Sequence, residues 1–231
     1  MQRQNAPETC NDHYLFWKVR ETGVDFKVKL QTAADQAPFD TALLQIEYLG
    51  NPARKTREGR EPEDVHHPSL HLLAYKLGIQ REAPERSVFV SNQFGQGQQW
   101  QLGNSQYLLM PARKAKGDEP DPTSPPPPRV DHFLCFRVVE GQAIEETFAV
   151  RDQFGEYRFV YLKPILFGYP VSKNDEGTVH PDVYQAIYEV TEVVRPPAHV
   201  GVRTLDQLGK LALNAVETAW FGVPSLKAMK G

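Results

Sequence analysis

The segment 63–71, EDVHHPSLH, has the residue types and spacing of a metal site. Its imidazoles, His66, His67 and His71, and its two carboxylates are side chains that bind divalent metals, and a bound metal would support a metal-dependent enzyme. The alternative is a polar connector, because the His-Pro pair recurs at 180–181 without the other ligands. We therefore expect no metal and no cofactor, and we retain the three histidines as candidates only.

The two cysteines offer little for catalysis. Cys10 and His13 form a Cys-x-x-His motif, but a structural zinc needs two more ligands at similar spacing and none follow. Cys135 with a distant His could form a nucleophile pair. However, it occupies an apolar position of the repeat described below, which favours a buried small apolar residue. No phosphate loop, Gly-x-Ser-x-Gly, His-Glu-x-x-His or EF-hand motif occurs, so the sequence predicts no enzyme.

Charge and hydropathy exclude several classes of partner. The 231 residues include 26 basic and 29 acidic ones, for a net charge of −3, which gives no reason to expect nucleic acid as a partner. No run of 18 apolar residues occurs, so no membrane span is predicted. The polar start of the chain lacks the pattern of a secretory signal.

A pattern of three marks recurs four times along the chain, with a spacing of about 58 residues. The first mark is an apolar run, which starts at His13, His71, His132 and Tyr184. The second is an Asp/Asn–Gln pair, at Asp35-Gln36, Asn92-Gln93, Asp152-Gln153 and Asp206-Gln207. The third is a Pro with a Lys three residues later, at Pro52/Lys55, Pro111/Lys114, Pro170/Lys173 and Pro224/Lys227.

Each copy favours about three strands and a polar connector. The segment 26–31, FKVKLQ, alternates in period two, as a half-buried strand does. The segment 147–162 predicts a hairpin with Asp-Gln-Phe-Gly at its tip. Segments 208–222 and 40–50 contain good helix formers. The repeat marks on both sides of 208–222 nevertheless predict a strand there.

The sequence predicts an all-β protein of four tandem three-stranded repeats, paired into two β-sandwich or barrel-like units. The proline-rich stretch at 118–130 is the candidate linker. The predicted division is therefore 1–117 for the first unit, 118–130 for the linker and 131–231 for the second unit.

The motifs of the third copy resemble an uncharacterised bacterial β-rich tandem-repeat family, a domain of unknown function. The matching residues are 131–137 (DHFLCFR), 152–155 (DQFG), 163–164 (KP) and 170–174 (PVSKN). The resemblance implies the fold and an extracytoplasmic or secreted protein, but no activity. The missing signal pattern leaves the location open.

The resemblance also implies a disulfide pair in each unit, which this chain has almost entirely lost. The two implied positions are occupied by Phe16/Gly50, Ala74/Leu109, Cys135/Gly168 and Ile187/Gly222, so seven of the eight lack Cys. The chain must then rely on its apolar cores, which suits a reducing compartment without requiring one.

Two further sets of residues allow either binding or packing. The recurrent lysines could line an anion site, but a solvated Lys after a Pro that ends a strand is the simpler prediction. The tryptophans, Trp17, Trp100 and Trp220, could form a sugar-binding face, but core packing is favoured.

The sequence thus favours a non-catalytic β-repeat structural or interaction protein, as a scaffold or a surface or envelope component. A protein partner or self-association through strand edges is expected. The alternative is a carbohydrate- or small-ligand-binding module, with a glycan as possible ligand. The third hypothesis is the enzyme with a metal at His66, His67 and His71.

Overall fold

The computed structural model describes residues 12–57, 61–126, 130–192 and 200–228. This part of the chain is all-β and contains no helix, as predicted. Its eleven strands are β1 (His13–Thr32), β2 (Phe39–Arg57), β3 (His71–Leu77), β4 (Ser87–Asn92), β5 (Gly95–Lys116), β6 (His132–Glu140), β7 (Ile144–Arg151), β8 (Glu156–Lys173), β9 (Tyr184–Glu192), β10 (Val200–Asp206) and β11 (Gly209–Ala228).

Eight of these strands form a closed antiparallel ring. Its order is β1, β2, β3, β5, β6, β8, β9, β11, and β11 pairs back with β1. The pairing of the first and last strands places Tyr14 opposite Gly222. Closure removes the two free edges that an open sheet would have, so backbone donors and acceptors are paired around the circle.

The remaining strand segments form four hairpins on the outside of the ring. The second half of β1, and β4, β7 and β10, each pair with the start of the next strand in sequence. Each hairpin also pairs with the end of a long strand from two copies away: β1 with β8, β4 with β11, β7 with β2 and β10 with β5. Because a long strand starts and ends at opposite sides of the ring, the hairpin must fold back along its outer surface.

These pairings correct the predicted division into two units, 1–117 and 131–231. Strands of the first half pair with strands of the second half in six ladders. The physical reason is that every copy pairs with its sequence neighbours and with the copy two further on, so no pair of copies is self-contained. The 118–130 stretch connects β5 to β6, which are themselves neighbours in the ring.

Two apolar layers result from this arrangement. The larger one lies between the ring and its hairpins and contains, among others, Trp17, Trp100 and Phe148. The smaller one fills the inside of the ring and includes Phe16 and Cys135. Alternate residues of the short ring strands enter one layer or the other, because successive side chains of a strand point to opposite faces.

The positions implied as disulfide partners lie directly opposite each other. The register pairs Phe16 with Gly50, Ala74 with Leu109, Cys135 with Gly168 and Ile187 with Gly222. Phe16 uses the space that two glycines leave, since a Cβ on Gly50 would come within 2.7 Å of its ring and one on Gly222 within 2.9 Å. An aromatic ring beside two glycines therefore fills the space at the positions where the resemblance implies a disulfide.

The segment 208–222 is a strand, as the repeat register predicted. Most of it belongs to β11, which pairs with β1, β9 and β10 over this stretch. These long-range ladders override the local helix propensity of its Leu, Ala and Lys residues. The segment 40–50 is likewise strand, within β2.

We predict that Gly168→Cys forms a disulfide with Cys135. An ideal Cβ on Gly168 lies 3.2 Å from the Cys135 sulfur, a separation that a disulfide needs only small shifts to accept. Oxidised refolding should give an intact mass two hydrogens lower than that of the reduced protein. The oxidised variant should be about 3–4 kcal/mol more stable than the same variant in dithiothreitol, by closure of a loop of about 30 residues.

The matched control is Gly168→Ala, which adds the same Cβ without a sulfur. It reports the crowding against Phe133 and Gln185, whose Cβ atoms lie at 3.2 and 3.4 Å. Peptide mapping separates the expected bond from one to Cys10. If the introduced cysteine and Cys135 stay unlinked after oxidised refolding, the register of β6 and β8 is wrong.

Candidate functional site

The histidines of the candidate metal cluster are not assembled into a site. His66 and His67 are exposed, and their backbone N–H groups each donate to the carboxylate of Asp12 at 2.7 Å. His71 is buried, and burial, followed by the charge of Lys114, holds its pKa well below the usual value. In the described ranges no group of three or more His, Cys, Asp or Glu side chains is arranged to hold a metal ion.

The His-Pro connectors serve a backbone role instead. Asp131 accepts hydrogen bonds from the N–H groups of Val179 and His180, as Asp12 does from the equivalent residues one half of the chain earlier. In the first and third copies, the Asp that precedes the apolar run therefore holds the backbone of the connector at the other end of the same copy.

The cysteines are placed as follows. Cys10 lies outside the described residues. Cys135 is fully buried inside the ring, and burial raises the pKa of its thiol far above the usual value. A buried thiol with a raised pKa is a poor nucleophile, so the packing interpretation of Cys135 is confirmed.

The prediction of a solvated Lys after each Pro is wrong. Strands β2 and β5 continue past Pro52 and Pro111, and the hairpins of other copies cover the lysines. Lys55 is 1% exposed and Lys173 is 2% exposed. Aromatic rings of other copies compensate the charge in part, with Phe94 5.2 Å from the Lys55 nitrogen and Phe154 4.2 Å from that of Lys114.

A polar network centred on Asp152 joins three copies. The indole nitrogen of Trp17 donates to Asp152 Oδ2 at 2.8 Å, and the amide nitrogen of Asn51 donates to the same oxygen at 2.9 Å. Lys114 Nζ donates to Asn51 Oδ1 at 2.6 Å. Burial raises the pKa of Asp152 and lowers that of Lys114 to about 7. The other Asp152 oxygen accepts the N–H groups of Phe154 and Gly155 and so closes the hairpin turn.

The same contact recurs at two other hairpin tips. Asp206 accepts a hydrogen bond from the hydroxyl of Tyr75, and Asn92 donates to the hydroxyl of Tyr188. Each tip residue also accepts N–H groups of its own turn. The Asp or Asn of these pairs thus satisfies backbone groups of its own turn, in keeping with the predicted hairpin tip at 152–155. The aromatic partner two copies away is a contact that the sequence did not predict.

Two further polar clusters are related by half of the chain. In the Glu176 cluster, Glu176 bonds to Lys173 at 2.7 Å, to Gln207 at 3.2 Å and to His132 at 3.3 Å. The hydrogen bond from His132 is the largest cause that lowers the pKa of Glu176 to about 2. Glu63 has the corresponding neighbours Lys55 and His13, and Gln93 reaches His13.

A cleft of about 370 Å³ opens at one mouth of the ring. We call it the mouth cleft, and it is lined by residues that include Tyr107, Arg137, Val139, Lys163, Ile165 and Trp220. Its lining comes mainly from β6 and β8, which are neighbours in the ring, with Tyr107 from β5 and Trp220 from β11. The side chains of Arg137 and Lys163 make no ion pair or hydrogen bond with any residue that the structure describes.

The three tryptophans do not form a row. Trp17 and Trp100 are fully buried between ring and hairpins, so core packing is confirmed for both. Trp220 is 8% exposed and lines the mouth cleft. Its ring packs against Tyr48, with 3.5 Å between the ring centroids, and edge-on against Tyr107.

The polar end of Tyr107 is already engaged. Its hydroxyl donates to Glu47, which also accepts from Lys76 at 3.0 Å. Burial opposes ionisation of Glu47, but the hydrogen bonds from Tyr107 and Lys76 prevail and lower its pKa. The part of Tyr107 left for a ligand is therefore its apolar ring.

Sequence reasoning missed the mouth cleft, although one signal pointed to it. The apolar runs of the first three copies end in a basic residue at the same place, Lys18, Lys76 and Arg137. That position lies at the mouth, and only the fold shows that it is adjacent to Lys163 and Trp220.

Comparison with known proteins identifies the family. A family model described as "Repeat of unknown function (DUF7450)" matches residues 71–224. The chain belongs to this family. The match begins at the first residue of β3 and ends within β11, so it spans the second, third and most of the fourth copy. The expected resemblance to a repeat family of unknown function is confirmed.

No curated protein and no solved structure matches the chain. Across the described segments, no helix has the length and apolar character needed to cross a membrane.

We predict that Asp152→Asn lowers the free energy of unfolding by about 1–3 kcal/mol. The new side-chain NH2 group would face two other donors, the indole N–H of Trp17 and the amide of Asn51. Buried donors without an acceptor would result, and each costs about 1–3 kcal/mol. The reverse change, Asn92→Asp, should cost less, because the hydroxyls of Tyr188 and Ser225, which both accept from the Asn92 amide, can turn from acceptor to donor. Urea unfolding of both variants measures the difference. Equal losses for the two would contradict the assigned donor directions.

We predict that Glu176→Gln removes a contribution to stability that wild type has at neutral pH and loses at acid pH. The pKa of Glu176 is lowered from 4.5 to about 2, so its contribution is complete above pH 4.5 and lost as the pH falls towards 2. The difference in unfolding free energy between wild type and variant should shrink over that interval. The control is Glu82→Gln, which removes an exposed pair with Arg86 and should give a small effect. A difference that is constant from pH 5 to 2 would contradict the role of Glu176.

Proposed function

We propose that the protein is a non-catalytic interaction protein that binds a ligand in the mouth cleft. The observation that carries this proposal is the content of one cleft of about 370 Å³: two aromatic rings, apolar strand residues and two cations without a described carboxylate partner. Ligand sites commonly have this size and this mixture of apolar surface with few polar groups.

A non-catalytic role is supported by the use of the chemically capable side chains. Cys135 is sealed inside the ring, Lys114 donates to Asn51, and Asp152 holds its own turn and two other copies. These groups stabilise the fold in positions that recur between copies, whereas a catalytic residue need occur only once.

The closed ring supports a second role, as a structural protein of a larger assembly, a cell surface or an envelope. There is little support for self-association through strand edges, because each of the eleven described strands already pairs with at least two others. There is also little support for a row of stacked sugars, since two tryptophans are buried and Tyr48 covers one face of the third, Trp220.

The proposal is tested by blocking the cleft. Val139 is 58% exposed on the cleft wall, so Val139→Trp should fill the cleft without disturbing the core. Ligand-observed NMR with a library of small fragments should give hits on the wild type that are lost in this variant.

The matched control is Val179→Trp, because Val179 is 47% exposed and is not part of the cleft. It should keep all the hits of the wild type. Hits that persist in Val139→Trp, or a library without hits, would overturn the mouth cleft as the binding surface.

A further inference from the structure

We infer that the mouth cleft selects a small organic carboxylate with an apolar body, such as an arylacetic or a branched-chain acid. This inference rests on the proposed function and adds the chemical class of the ligand. It depends on three features of the cleft: its cations, its apolar surface and its volume.

The first feature is that both charged residues of the lining are cations. Arg137 on β6 and Lys163 on β8 line the same cleft, and both are exposed. Glu189 lies opposite Lys163 in the β8–β9 ladder but makes no ion pair with it and does not line the cleft. Two cations on adjacent strands can bind one carboxylate from two sides, and Arg offers the paired N–H groups that match its two oxygens.

The equivalent residues of the first two copies show that a cation without a carboxylate partner at this position is specific to the third copy. Lys76, at the position of Arg137 in the second copy, bonds to Glu47 at 3.0 Å. Lys18, at that position in the first copy, lies 3.8 Å from Glu217. The third copy thus keeps its cation free of a carboxylate partner among the residues described.

The second feature is the apolar character of the remaining surface. Among the lining residues, β8 contributes Pro164, Ile165 and Leu166, and β6 contributes Val139. The Tyr107 hydroxyl is taken by Glu47, so its ring adds further apolar surface. A sugar, which carries hydroxyls on all sides, would leave most of them without partners here.

The third feature is size. A cleft of about 370 Å³ is at the small end of the range for ligand sites, about 300–1,000 Å³. A single ring or a short branched chain fits within this volume. The carboxylate then lies at the rim between Arg137 and Lys163, with the apolar body towards Trp220.

The test compares phenylacetate with phenylacetamide, which has the same ring and a neutral head. Each is titrated into the full-length ¹⁵N-labelled protein, and the indole N–H signal of Trp220 is followed after assignment with Trp220→Phe. We expect phenylacetate to shift this signal with saturation and phenylacetamide to bind at least about tenfold more weakly, the effect of about 1.4 kcal/mol.

Variants locate the charge effect. Arg137→Gln and Lys163→Gln should each weaken phenylacetate binding about fivefold or more and leave phenylacetamide unchanged. The control is Lys210→Gln, an exposed lysine at the turn that starts β11, which should change neither. All three positions are exposed, so folding should be retained, and the NMR spectrum itself verifies it.

The outcomes separate this inference from the proposed function. If acid and amide shift the Trp220 signal with equal affinity, the inference about the carboxylate is wrong and the cleft remains a binding site. If neither shifts it while other fragments bind in the cleft, the ligand class is wrong. If nothing binds there at all, both proposals fail.

Discussion

The ring closes because β1 and β11, near the two ends of the chain, pair over Tyr14–Val19 and Ala215–Gly222. Most other contacts depend on this closure, since it fixes the order of eight strands and the surface against which the hairpins fold. Pairing of such distant segments has a high entropic cost before it is stabilised. We expect folding to be slow compared with that of a domain built from local contacts.

The hairpins stabilise the closed ring by contacts between copies that are two apart. A backbone ladder carries part of this stabilisation. A hydrogen bond between a tip residue and an aromatic side chain carries another part, as where the indole N–H of Trp17 donates to Asp152. The recurring residues are therefore structural. Function is then to be sought where the copies differ, and the mouth cleft, with Arg137 unpaired where Lys76 is paired, is such a place.

The repeat pattern made much of the fold predictable. Alternation and turn residues located the strands, and the position of 208–222 between repeat marks outweighed its helix propensity correctly. The burial of Lys55 was not predictable, because a Lys shortly after a Pro that was expected to end a strand suggests a solvated side chain. Only the fold shows that Phe94, in the hairpin of another copy, covers it. The two-unit division failed for the same reason, since pairing between distant copies leaves no local signal.

The sequence by itself determined the all-β class, the repeated unit, the hairpin tips and the burial of Cys135, because each of these follows from local pattern or from alignment of the copies. The tertiary structure decided the closure into one ring, the separation of His71 from His66 and His67, and the meeting of Arg137, Lys163 and Trp220 at one mouth. The physical reason is that the register between strands far apart in the chain sets which side chains are neighbours. That register results from packing over the whole sheet.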